Sequence, residues 1–154
     1  LAEAELRVKK IREGTVIDHI SSGNALAVLR ILGIKGHEGT IVSVIMNVPS
    51  KMYGRKDIVK IEGRELSPTE VDEIALIAPR ATINIIRNFK VIDKKNVKLP
   101  RIIKEILKCP NPVCVTNSRE PVKTMFYVEK EEPILLRCYY CGGFLEKEEI
   151  LKQF

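Results

Sequence analysis

Thr40-Ile41-Val42-Ser43-Val44-Ile45-Met46-Asn47-Val48 ends at Pro49-Ser50, and after a loop closed by Gly54 comes Asp57-Ile58-Val59-Lys60-Ile61-Glu62. β-Branched residues crowd both runs, and their connection carries Pro and Gly. Two such runs in succession read as a β-hairpin. The hairpin decides the fold. A doubly wound parallel sheet needs strand and helix to alternate throughout, and here two strands follow one another.

Upstream, Leu6 to Ile20 reads as a strand or a pair of strand segments, with Gly14 as a bulge or bend. Residues 1–5 read as a frayed terminus. Asp18 and His19 are neighbours, so a regular strand would turn them to opposite faces. Ser21-Ser22-Gly23-Asn24 offers several helix caps. The helix runs to about Leu32, with Leu26, Leu29 and Leu32 on one stripe and Ala25 and Val28 beside them, and Gly33 stops it. Downstream, Ser67-Pro68-Thr69-Glu70 is a capping box with Pro at the first helical position. Val71, Ile74, Ala75 and Ile77 follow at helical spacing, and the helix ends before Pro79. Ala81 to Ile86 reads as a strand and Phe89 to Ile92 as another. The order is β-α-β-β-α-β with one extra short strand. The fold class is therefore α+β: a ferredoxin-like antiparallel sheet with two helices on one face.

Lys94 to Arg101 is charged and aperiodic, which puts a domain boundary at Pro100, between residues 1–100 and 101–154. Ile102 to Leu107 reads as a short helix or linker turn. All four cysteines follow, as C-x4-C-x23-C-x2-C at Cys109, Cys114, Cys138 and Cys141. Two close pairs separated by a hairpin-sized insert are how a chain builds a closed tetrahedral thiolate cage, so one structural zinc is expected. Two disulfides or four buried thiols are the alternatives. A module of this size buries too little apolar surface to stand alone, and a metal supplies the deficit. It should be mostly β, with strands at Thr124–Val128 and Ile134–Arg137 and a final strand or short helix within Phe144–Phe154.

Residues 1–100 carry 17 Lys and Arg against 12 Asp and Glu, whereas residues 101–154 carry 9 against 8. The positive charge thus sits away from the cysteines. That speaks against the alternative function, a zinc ribbon gripping nucleic acid, which needs a basic face. A near-neutral module bearing Met125, Phe126, Tyr127, Tyr139 and Tyr140 on its surface would suit protein docking better. No apolar run approaches the ~20 residues that span a bilayer, so no membrane role is expected. A soluble, cytoplasmic chain without a signal peptide is expected. Abundant Ile, Lys and Glu without Trp lean toward a thermophile composition. No phosphate-binding glycine loop and no nucleophile arrangement is found, so no enzyme is expected. Lys51–Arg64 and Arg87–Lys98 are basic stretches able to meet an anionic ligand.

Gly14-Thr15-Val16-Ile17-Asp18-His19-Ile20, Asn47-Val48-Pro49-Ser50, Gly54-Arg55-Lys56-Asp57-Ile58-Val59-Lys60-Ile61-Glu62 and Ala78-Pro79-Arg80-Ala81-Thr82-Ile83-Asn84 resemble the regulatory chain of aspartate carbamoyltransferase. So does the cysteine pattern. The resemblance spans roughly residues 6–150. It implies a non-catalytic chain whose N-terminal domain binds CTP or ATP and whose zinc domain docks on the catalytic chain. It further implies a regulatory-chain homodimer that joins catalytic trimers, in pyrimidine biosynthesis. By the resemblance, Asp18 and His19 contact base or ribose and phosphate, Lys60 the ribose and Lys94 the phosphate. Ile11, Val16, Asn84, Ile86 and Val91 line the base and sugar pocket. Phe89 departs from a Tyr common in the family; Lys9, Lys10 and Ser21–Asn24 also differ.

Overall fold

A computed structural model describes residues 10–52 and 54–154. Residues 1–5, Leu6, Val8 and Lys9 lie outside the described residues. The described elements run β1 (Gly14–Ser21), α1 (Ala25–Ile31), β2 (Val42–Ser50), β3 (Gly54–Glu62), α2 (Pro68–Ile77), β4 (Thr82–Arg87) and β5 (Lys90–Asn96). Then come β6 (Ile102–Lys104), β7 (Met125–Lys130), β8 (Leu135–Cys138), β9 (Phe144–Glu146) and α3 (Lys147–Leu151).

The first five strands form one antiparallel sheet in the order β2-β3-β1-β4-β5. This is the ferredoxin-like arrangement with β5 added beside β4. Ile17 stands opposite both Val59 and Ile83, and all three are buried under the helices with Val28, Ile74 and Leu76. Burying an aliphatic side chain of this kind is worth about 1.5–3 kcal/mol. Residues of the other parity (Val16, Lys60, Asn84) face away from the helices.

The capping box starts α2 as its residues dictate. Ser67 Oγ accepts from the Glu70 amide at 3.2 Å, and Glu70 Oε1 accepts from the Ser67 amide at 3.0 Å. Helix α1 is built differently. Asn24 makes no side-chain cap. Asp57, fully buried on β3, caps it from across the sheet: Oδ2 accepts from the amides of Gly23 (2.9 Å) and Ala25 (3.0 Å). Its Oδ1 accepts from the Asn47 amide at 2.9 Å, pinning a bulge in β2. The expected leucine stripe is corrected accordingly. The buried face is Ala25, Val28 and Ile31, continued by Leu32, while Leu26 is 62% exposed. With 100° per residue, starting the helix at Ala25 turns Leu26 to solvent.

Three further expectations are corrected. Ile102–Lys104 is a strand rather than a helix or linker turn. Ile103 pairs with Phe126 and both are buried, so tertiary pairing overrides local propensity. The strand placed at Phe89–Ile92 is Lys90–Asn96, and Asn88 and Phe89 form its preceding turn with φ of 50° and 64°. Its charged residues are tolerated because β5 is an edge strand, exposed throughout. Finally, Asp18 and His19 do not alternate as in a regular strand. The β1/β3 register shifts between Ile17 and Ile20, and His19 has φ 59°.

The second sheet has the order β6-β7-β8-β9, and the C-terminal stretch supplies both a strand and a short helix. One continuous apolar core runs from Ile17 and Ile83 to Phe126 and Leu136. Polar contacts cross between the sheets' supporting elements. Lys147 donates to Asn24 Oδ1, Arg30 Nε donates to the Phe154 carbonyl at 3.2 Å, and Arg80 pairs with Glu132 at 3.2 Å.

Candidate functional site

The cysteine knuckles are set by short backbone turns. The Cys114 amide donates to the Asn111 carbonyl at 3.1 Å, and Asn117 Nδ2 donates to the carbonyls of Cys109 and Asn111 at 2.9 and 2.8 Å. In the second pair the Gly142 amide donates to the Cys138 carbonyl at 3.0 Å, with Gly142 at φ 73°, a conformation glycine adopts without cost. The β7–β8 hairpin brings the two pairs face to face. All four sulfurs lie within 4.8 Å of one another, with Cys109–Cys141 at 3.6 Å and Cys114–Cys138 at 3.8 Å. A Zn–S bond of about 2.3 Å puts the edge of a tetrahedral sulfur cage at roughly 3.8 Å. The cysteines are not disulfide-bonded.

The donor set therefore fits one structural zinc, with four thiolates and no position left for substrate. Supporting donors are in place: Thr116 Oγ1 donates to Cys114 Sγ at 3.2 Å and the Gly143 amide to Cys141 Sγ at 3.4 Å. Burial pushes the Cys109 thiol up to about 12 and raises Cys138 as well. The Gly143 amide brings Cys141 down to about 7, and Thr116 lowers Cys114 against the effect of burial. Of the five residues expected on this module's surface, Phe126 is instead fully buried in its core and Met125 and Tyr127 are half-buried. Tyr139 and Tyr140 are exposed, and Val113, Val115 and Phe144 join them.

The sheet's open face carries the other candidate residues in three adjacent rows. Lys60, Val16, Asn84 and Lys94 are successive partners across β3, β1, β4 and β5. At about 4.8 Å per strand this row spans roughly 14 Å, the scale of an extended nucleotide. Asn84 Nδ2 donates to the Val16 carbonyl at 3.3 Å. Toward one end, Ile86 pairs with Val91; Ile86 and Ile11 are buried and Val91 is exposed. Toward the other, Asp18 stands opposite Thr82, which pairs with Asn96. The β1 bulge sends the Asp18–His19 pair to different neighbours. Asp18 binds Lys56 Nζ at 2.9 Å, and His19 Nδ1 lies 3.0 Å from Thr82 Oγ1.

A cleft of about 490 Å³ opens beside these rows. Of the nine candidate residues only His19 and Lys94 line it; Arg80, Thr82, Asn96 and Met52 do so too. Lys60, Val16 and Asn84 lie in the neighbouring row, and Ile11, Ile86 and Val91 farther along the strands. Arg80 is a cation outside the residues expected at the site, and Lys56 is expected there only as one member of the Lys51–Arg64 basic stretch. Lys56 was legible only through the bulge that brings it to Asp18, and Arg80 only through the turn after α2.

No described helix is long and apolar enough to cross a membrane. Residues 6–98 match the family model for the allosteric domain of the aspartate carbamoyltransferase regulatory chain, and residues 101–151 the model for its metal binding domain. The chain is 58% identical over 149 residues to the aspartate carbamoyltransferase regulatory chain of Hyperthermus butylicus, covering 96% of this chain and 93% of that one. It is 57% identical to the regulatory chain of Methanothermobacter thermautotrophicus, covering 97% and 96%. It is also 57% identical to that of Korarchaeum cryptofilum, with the same coverage. The chain therefore belongs to the family of aspartate carbamoyltransferase regulatory chains, non-catalytic subunits of an enzyme of pyrimidine biosynthesis.

Proposed function

We propose that residues 1–100 bind CTP or ATP on the open sheet face and that residues 101–154 dock on the catalytic chain, so that regulatory-chain dimers link catalytic trimers in the cytoplasm. The observation that carries the nucleotide site is the row Lys60–Val16–Asn84–Lys94. It sets an apolar and an amide side chain between two lysines, and among the described residues neither lysine is held in an ion pair. An anionic ligand supplies the missing counter-charge. Asn84 and the edge of Val16 offer polar and apolar contact to a base, Asp18 an acceptor for a ribose hydroxyl, and Lys94 a cation for phosphates with the His19 ring beside it. For docking, the exposed Tyr139, Tyr140 and Phe144 on a near-neutral module are the support. A nucleic-acid role is set aside because the family is regulatory and the zinc module is near neutral, with 9 Lys and Arg against 8 Asp and Glu.

Calorimetric titration of the zinc-loaded chain with CTP, and with ATP in parallel, tests this. One site per chain, weakened at least ten-fold by Lys60→Ala and by Lys94→Ala with unchanged pull-down of the catalytic chain, is the expected result. Unchanged affinity in both variants would remove the assignment.

A further inference from the structure

Arg80 stands at a junction. It follows Pro79 at the end of α2 and lines the cleft shared by His19, Thr82 and Lys94. On its other side it lines a second groove with Arg55 and Glu132. Its Nη2 lies 3.2 Å from Glu132 Oε2, in the β7–β8 turn of the metal-binding module. Among the described residues, the cleft's lining includes His19, Arg80 and Lys94 but no carboxylate. A carboxylate that pairs with Arg80, that of Glu132, belongs to the other module.

We propose that Glu132 and the phosphates of a ligand in the cleft compete for the Arg80 guanidinium, making the Arg80–Glu132 pair a contact that effector binding opens between the two modules. The proposal rests on the nucleotide reading above. A polyphosphate carries more charge than one carboxylate and presents the oxygen pairs that a guanidinium fork binds best. The pair is half-exposed, at 51% and 38%, so it is weak enough to be exchanged rather than locked. By reciprocity, whatever the ligand gains by taking Arg80 is lost from the contact between the modules. Releasing Glu132 frees the turn that holds the Arg80 side of the interface, while Lys147–Asn24 and Arg30–Phe154 continue to hold the α1 side.

The test is a cycle on the full, zinc-loaded chain, titrated with CTP and separately with inorganic tripolyphosphate. Glu132→Gln removes the competitor and tightens both ligands about two- to five-fold, the range set by an exposed ion pair. Arg80→Gln weakens both about ten-fold. In the Arg80→Gln background, Glu132→Gln has no effect. Glu131→Gln, which removes the same charge one residue away, leaves affinity unchanged. Hydrogen exchange at residues 131–134 rises when ligand saturates the wild type and is already raised in Glu132→Gln. A Glu132→Gln effect equal to that of Glu131→Gln, or one that persists without Arg80, overturns the proposal. So does a flat cycle in a chain that binds CTP through Lys60. If CTP binds no better than tripolyphosphate and ignores Lys60→Ala, the nucleotide reading fails while the Arg80 cycle, read with tripolyphosphate, still decides the switch. If the folded, zinc-loaded chain binds neither probe, both are overturned.

Discussion

Replacing Asp57 should be among the most damaging single changes outside the metal centre. Its carboxylate is fully buried and holds three backbone amides: Gly23 and Ala25 at the start of α1, and Asn47 at the β2 bulge. Among the described residues, no other side chain caps that helix. Asp57→Ala leaves all three donors without their acceptor. Ala25 is fully buried, and an orphaned amide there costs about 2–3 kcal/mol. Gly23 and Asn47 are exposed residues whose amides regain water, at about 1 kcal/mol each. The expected loss is about 4 kcal/mol. For a chain of this length that lowers Tm by about 8–16 °C. Asp57→Asn keeps an oxygen for Gly23 and Ala25 but turns its amide against Asn47, so it should cost about half as much. Urea unfolding of the zinc-loaded chain, followed by far-UV circular dichroism, measures both. The order wild type, Asn, Ala with an unchanged m-value is expected. An Ala variant within about 1 kcal/mol of wild type, or an Asn variant as damaged as Ala, would refute the view that one carboxylate organises the helix start and the bulge together.

Chelating the metal should unfold β6–β9, because zinc binding in such modules supplies about 10–16 kcal/mol of their folding free energy. Tyr127, Tyr139 and Tyr140 report it through loss of near-UV circular dichroism, while the heat of CTP binding remains; loss of both signals together would contradict the two-module reading. Zinc uptake by the metal-free chain should release protons and weaken as pH falls. At pH 8 Cys141, brought down to about 7, is already ionised, whereas Cys109, up to about 12, and the raised Cys138 are not. Calorimetry in buffers of different ionisation enthalpy should then find about two to three protons per zinc, and a value near zero would contradict these assignments. Gly14→Ala should destabilise by at least about 2 kcal/mol in the same urea assay. An added Cβ would meet the Ile61 carbonyl at 2.0 Å, with the backbone at φ 142°. A neutral outcome would show that β1 enters the sheet differently.

Local signals carried much of the fold. The hairpin, the capping box and Pro79 each act within a few residues, and the β-α-β-β-α-β order follows from them with the right topology. The zinc cage was legible because a ligand set with fixed spacing and exclusive chemistry leaves few geometries open. The cap of α1 was not legible because it comes from Asp57, 32 residues from Ala25. The three-residue β6 was misjudged because only its pairing with β7 makes it a strand.

For the site the division is sharper. Sequence alone determined which residue types were available: four thiols in two knuckles, lysines in two basic stretches, and an Asp-His pair. Tertiary structure decided their arrangement. The antiparallel register put Lys60, Val16, Asn84 and Lys94 in one row, the β1 bulge broke the alternation of Asp18 and His19, and the turn after α2 brought Arg80 between the cleft and Glu132. The physical reason is one of range. Helix caps, turns and metal knuckles are settled by interactions over a few residues, whereas register, bulges and ion pairs between modules are settled by packing between segments that only the folded chain brings together.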